Sequence, residues 1–278
     1  MHRPLKPSLL GQSQLLAPNG TPIGATIGFL NVLHKVVEKF KPQRLCVVFD
    51  TPTQTHRKKE DPTYKANRER MDMTLRSQFP LTQFVLDILQ VPQVRLPGFE
   101  ADDLIASYTT ASVLVGYDVV VVSEDNDFLQ LVREGPPRVS VYKPQRKWHL
   151  NEVDVRRVLG GSSPKMQPDM RALQGDRSGK SPGLPGGIEQ SQAVSVLEKA
   201  GGLVSLLDRL DKVDNATLRT RLAESTEMLM VSYRASKLDD AIDPLPTAMD
   251  QFNSSKVDLD LLSSILEDPT RLPLLNSK

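Results

Sequence analysis

Apolar residues return every three or four positions from Ala25 to Phe40, which predicts an amphipathic helix. A short run from Leu45 to Phe49 follows and stops at Asp50. A continuous apolar run of that length reads as a buried parallel strand carrying a carboxylate at its C-terminal end. Between Thr51 and Arg76 apolar residues are few and basic ones frequent, so this stretch is predicted to be a surface arch or loop rather than core. A helix is expected at Leu75 to Leu89, a strand at Val94 to Leu96 and a turn at Pro97-Gly98. Another helix is expected from Glu100 to Gly116, its acidic opening suited to the positive end of a helix dipole. Asp118 to Val122 is the clearest buried strand, and alternation of this kind predicts an α/β fold with a parallel sheet. From Asn151 the strand signal fades and helical patterns dominate to about residue 250. The tail beyond is expected to be a strand or helix packed back on the body.

Composition changes this picture little. The 278 residues are ordinary for a globular chain and long enough for one large domain or a domain with an appendage. A net charge of +1 does not announce a nucleic-acid partner, so the distribution of charge matters more than its sum. The lone cysteine, Cys46, excludes an internal disulfide and a thiolate zinc site, and fits a reducing compartment. No apolar run approaches the roughly 20 residues that span a bilayer. The opening MHRPLKPSLLGQSQLLAPNG lacks a signal-peptide core and reads as the ragged start of a shortened domain rather than an organellar presequence.

The acids are more informative. Asp50 ends one strand; Glu100, Asp102 and Asp103 stand where a turn meets a helix; Asp125 and Asp127 follow the valine strand directly. Parallel sheets gather ligands beyond the C-terminal ends of their strands, so these acids are expected to meet at one sheet edge. Six such acids would repel unless cations lay between them. Oxygen ligands with no nearby His or Cys point to Mg²⁺ or Mn²⁺. Two such ions about 4 Å apart suit phosphodiester hydrolysis. The plain alternative is that Glu100 or Asp102 caps a helix and Asp50 is a turn residue; an EADD quartet alone does not decide between them. Arg57, Lys58, Lys59, Lys65, Arg68 and Arg70, with Tyr64 among them, suit phosphates and an unpaired base, and equally suit a solvated charged loop.

The segments CVVFD, RKKEDPTYKANR, PGFEADDLIAS, VVSEDNDFLQLV and ALQGDRSGKSPGLPGG follow one another in an order and spacing that resembles the 5′-3′ exonuclease/flap endonuclease family, in particular the 5′-nuclease domain of bacterial DNA polymerase I. The resemblance runs from about Gly20 to about Leu210. It implies a PIN-like parallel-sheet core at 20–150 with a helical arch at about 51–76. It also implies a helical, helix-hairpin-helix-type subdomain at 151–250, leaving 251–278 as a C-terminal tail. Asp50, Glu100, Asp102 and Asp103 match the family's first metal group, and Asp125, Asp127 and Asp176 the second. Arg57, Tyr64, Lys65, Asn67 and Arg68 match the family's arch that threads or clamps the 5′ strand, with Lys65 and Arg68 as the expected catalytic cations and Arg57, Tyr64 and Asn67 expected to meet DNA; Lys58 and Arg70, from the same basic stretch, are expected to bind DNA beside them. In the PGLPGG turn, Gly183, Gly186 and Gly187 would offer backbone N–H groups to phosphate. The implied activity is structure-selective hydrolysis of 5′ flaps or 5′ ends of DNA with Mg²⁺ or Mn²⁺, by a monomer located where DNA is, in the cytoplasm and nucleoid or in a DNA-containing organelle.

Three departures qualify this. The family's opening strand, which ends in Asp-Gly, has no counterpart, since no acid precedes Glu38; an unpaired strand edge would result. Gly179 and Lys180 stand where the family carries a further aspartate, which weakens the second ion. The run GGIEQSQA, with Gln190, Ser191 and Gln192, replaces a GIGxKTA-like hairpin and puts a bound K⁺ there in question. A member that binds branched DNA without cutting it, or a PIN-type ribonuclease, are the competing expectations.

Overall fold

The computed structural model describes residues 15–60, 64, 71–176 and 181–272. It divides into two compact units, one made of residues 1–104 with 243–278, the other of residues 105–242. These lines differ from a division at residues 150 and 250: the first unit draws on both ends of the chain, and the second is contiguous.

The first unit begins with helix α1 (Gly24–Phe40), whose Ile27, Leu30 and Leu33 are buried on one face. It stops where Lys41 turns left-handed and donates its N–H to Val37, and Pro42 behind it bars continuation. Strand β1 (Val47–Val48) follows, and α2 (His56–Glu60) begins the basic stretch. The helix expected at residues 75–89 is two pieces, α3 (Met73–Arg76) and α4 (Gln78–Ile88). The break has a cause in Pro80, which has no N–H to give the Arg76 carbonyl, so the helix restarts with proline in its first turn. Strand β2 (Gln93–Val94) pairs in parallel with β1, Val47 opposite Gln93 and Val48 opposite Val94. Helix α5 (Ala101–Leu114) then carries the chain out of this unit.

The second unit holds strand β3 (Val119–Val122), parallel to β4 (Val139–Lys143), which is antiparallel to β5 (Trp148–Leu150). The described strands therefore form two separate sheets rather than the single parallel sheet expected. β4 and β5 escaped the sequence reading because a polar turn, Pro144 to Lys147, splits an already short pattern. The rest of the unit is helical, as expected: α6 (Glu152–Val158), α7 (Gln167–Gln174), α8 (Gln190–Ala200), α9 (Leu203–Asp208), α10 (Ala216–Glu224) and α11 (Thr226–Ser236). Phe128, Val141, Leu173, Leu197 and Leu229 anchor their shared core.

The chain then returns to the first unit. Arg44 donates to the Met249 carbonyl, and Leu45 N–H to that of Phe252. Helix α12 (Leu259–Glu267), capped by Asp258, buries Leu262 and Ile265 completely in the cluster that includes Ile27 and Leu30. Among the described residues of the tail, α12 packs back on the first unit.

Candidate active site

In the first unit, four of the expected acids are set by the end of β1 and the start of α5. Asp50 accepts the N–H of Ala101, the first residue of that helix, at 2.8 Å, so it caps a helix that begins 51 residues later. Asp102 is half-buried; Glu100 and Asp103 are buried, Asp103 with no exposed surface. Arg57, on α2, is turned onto these two acids. Its Nη1 and Nη2 lie 2.7 and 2.6 Å from the two oxygens of Asp103, and Nη1 also reaches Glu100 Oε2 at 3.0 Å. Tyr64 donates its hydroxyl to the same Glu100 oxygen at 3.0 Å. A two-pronged pair of this kind is the strongest form of arginine–carboxylate contact. Arg57 and Tyr64, expected to meet DNA, thus hold acids in this structure, while Lys58 is exposed on α2. Lys65, Asn67, Arg68 and Arg70 lie outside the described residues. His56 was not singled out in the sequence. Its buried Nδ1 has no hydrogen-bond partner and its ring centroid lies 5.2 Å from that of Phe99.

In the second unit, Asp125 and Asp127 follow β3 directly. Asp125 Oδ1 accepts the N–H of Asp127 at 2.9 Å and so fixes the turn. Asp127 faces α7, where Gln167 donates to its Oδ1 at 3.2 Å and Arg171 donates to the same atom. The other arm of Arg171 reaches Asp176 Oδ2 at 2.6 Å. Burial, with the Asp125 charge beside it, pushes the Asp127 carboxyl up to about 6, and Arg171 opposes the shift.

Two glycines place Asp176. Gly175 has a φ of 76°, and a Cβ there would stand 2.7 Å from the Ser181 carbonyl oxygen; one on Gly183 would stand 2.7 Å from the Gln174 carbonyl carbon. The two backbone segments press together at a distance only glycine permits. Gly183 thus serves this close approach. Further on, the N–H of Gly187 is donated to the Leu184 carbonyl, and Arg221 binds the carbonyls of Pro185 and Gly187. Gly186, at a φ of 81°, lies against the Arg221 guanidinium. The turn is stapled from behind by an arginine that sequence spacing does not reveal. Gly179 and Lys180 lie outside the described residues.

The acids have the chemistry of a site for hard divalent cations. Their arrangement does not fit one: among the described residues no three His, Cys, Asp or Glu side chains are grouped so as to hold an ion. In each unit an arginine lies between the acids instead.

Comparison with known proteins places the chain. Residues 8–160 match the family model for the 5′-3′ exonuclease, N-terminal resolvase-like domain. A 5′-3′ exonuclease of Aquifex aeolicus is 32% identical over 91% of this chain and 84% of its own length. DNA polymerase I of Rhizobium leguminosarum is 34% identical over 77% of this chain, which spans only 21% of that longer protein. Among solved structures, a T5 5′-exonuclease with divalent metal ions bound superposes with a TM-score of 0.64, covering 87% of this chain and 90% of its own, at 18% identity. That last likeness is one of fold. Together with the acids at Asp50, Glu100, Asp102, Asp103, Asp125, Asp127 and Asp176, the sequence matches show that this chain belongs to the 5′-3′ exonuclease/flap endonuclease family.

Proposed function

We propose that the protein is a structure-selective 5′-nuclease that hydrolyses phosphodiester bonds at 5′ flaps or 5′ ends of DNA, acting as a monomer with two divalent cations, Mg²⁺ or Mn²⁺. The observation that carries this reading is the pairing of a family match over residues 8–160 with acids that follow a strand in each unit, Asp50 after β1 and Asp125 with Asp127 after β3. In this reading the acids hold the ions, which supply the charge that phosphodiester hydrolysis demands. Lys65 and Arg68 act on the scissile strand, and Lys58, Asn67 and Arg70 bind its phosphates. For an ion to be held in either unit, the arginine there must first release its acids. The A. aeolicus relative bears the name of an exonuclease, and a second T5 structure is described as a flap endonuclease complexed with DNA and metal ions, which supports DNA as the substrate.

The test is cleavage of a 5′-flap duplex with Mg²⁺ or Mn²⁺, the wild-type chain against Asp102→Ala. Wild-type turnover well above the variant is expected; equal rates reject the reading. The ion-paired state of the acids favours a second reading, a protein that binds branched DNA without cutting it. That reading expects flap binding but no metal-dependent turnover, even at high Mn²⁺.

A further inference from the structure

The hairpin of β4 and β5 bears groups that the nuclease reading leaves unused. Trp148, the one tryptophan of the chain, is 52% exposed, and the Arg146 guanidinium lies over its ring, 5.1 Å from the centroid. Lys147, between them, is held at a φ of 55°, a conformation that glycine or asparagine adopts more easily, yet a cation stands there. From Arg138 to Leu150 the sequence has no acid, and among the described residues neither Arg146 nor Lys147 pairs with one. A single exposed aromatic is ordinary on a protein surface. A flat ring with a guanidinium stacked on it and a second cation beside it is the combination that holds single-stranded nucleic acid, because bases stack on the ring and phosphates meet the charges.

Position supplies a second observation. β4 runs parallel to β3, so its C-terminal end lies at the same sheet edge as the turn that carries Asp125 and Asp127. Lys143, the buried last residue of β4, donates its Nζ to the Glu124 carbonyl at 3.2 Å and to Asn126 Oδ1. The Gln145 N–H donates to the Glu124 carboxylate at 2.7 Å. The hairpin tip is thus fastened to the residues on either side of Asp125. Trp148 stands opposite Lys143 in the antiparallel ladder, which places the two side chains on one face of the hairpin. Acids repel phosphates, so a strand brought to them needs cations close by, and the tip carries them.

We propose that the tip of the β4–β5 hairpin is a binding site for unpaired DNA, in which Trp148 stacks on a base while Arg146 and Lys147 meet the flanking phosphates, holding the strand beside the Asp125–Asp127 turn. This rests on the reading of DNA as the substrate. The tip is a different segment from the basic stretch before residue 76 and from the glycine turn at 182–187, the two places where the resemblance puts DNA contacts.

The experiment titrates the full chain with a short oligothymidine in EDTA, which withholds divalent ions. With one tryptophan in the chain, its emission reports on this site alone. Saturable quenching is expected, weakening as salt is raised. In fluorescence anisotropy of a labelled oligothymidine, Trp148→Ala should bind about tenfold more weakly than wild type, and Trp148→Phe, which keeps a ring, should lose less. Arg146→Ala combined with Lys147→Ala should lower the slope of log affinity against log salt by about 1.4, the effect of two lost phosphate contacts. Tryptophan emission that stays constant while the oligonucleotide binds, or Trp148→Ala binding as wild type does, overturns the proposal. So does a blunt duplex that quenches as well as the single strand, or an oligouridine bound more tightly than the oligothymidine, which would make the site one for RNA. Flap cleavage is scored separately. A wild type that cuts flaps without quenching rejects this site and leaves the nuclease reading standing, whereas quenching in a chain that never cuts DNA does the reverse.

Discussion

The contact between Arg57 and Asp103 is a two-pronged, buried ion pair in the first unit. Asp103 has no exposed surface, and the Arg57 guanidinium meets both its oxygens. Arg57→Met is expected to cost about 3–5 kcal/mol in urea unfolding, the usual result of stranding a buried charge. Adding Asp103→Asn should return part of that loss, and a double variant no more stable than the single one would argue against the pair. Asp169 offers a pH test. Burial raises its carboxyl above the usual value of 3.8, while the Leu203 N–H at 2.6 Å works the other way. A raised acid contributes stability in full below about 4, and loses it as pH climbs through the folded value. Asp169→Asn keeps an acceptor without the charge. It should therefore match wild type at acid pH and exceed it at neutral pH, as followed by thermal unfolding from pH 4 to 7. Asp50, Asp125 and Asp127 were legible in the sequence because they follow apolar runs, and Glu100, Asp102 and Asp103 because they open a helical pattern, whereas Asp176 came only with the family resemblance. Arg171 and Arg221 were not, since each sits in an ordinary helical pattern and meets partners that only the fold supplies.

At the level of elements, the sequence carries most where a cap or an apolar period is strong. Helix α6 opens with a reciprocal pair: Asn151 accepts the Asp154 N–H, and Asp154 accepts that of Asn151. Asn151→Ala should cost about 1 kcal/mol, read as a lower denaturation midpoint, because two N–H groups at the helix start lose their arrangement. Helices α1 and α5 fall within two residues of where their patterns place them. The strands are another matter. β1 and β2 are two residues each: β1 is shorter than the apolar run Leu45 to Phe49 that contains it, and β2 meets the expected strand at Val94 to Leu96 only in Val94. A run of valines shows that a strand is present and says nothing of which neighbour it will find. Hence one sheet was expected where the described strands form two. Among the described residues β1 and β3 each pair on one side only, and their valines are mostly half-buried rather than enclosed.

On the scale of the molecule, the first unit is assembled from sequence-distant parts. Leu262 and Ile265 of α12 share a core with Ile27 and Leu30 of α1, more than 200 residues away. Deleting the chain after residue 242 removes those side chains from a cluster with nothing to replace them. The shortened protein should lose the unfolding transition of the first unit. Limited proteolysis should then leave a resistant fragment within residues 105–242, and a shortened chain that resists digestion throughout would contradict this. Periodicity could not show the arrangement, because it reports which face of a segment is apolar and never what covers it. The same layout has a temporal side. As the polypeptide leaves the ribosome, the stretch that forms the contiguous unit is complete while α1 still lacks its distant helix. The contiguous unit can settle first, and α1 must wait, its apolar face uncovered, until α12 has been made.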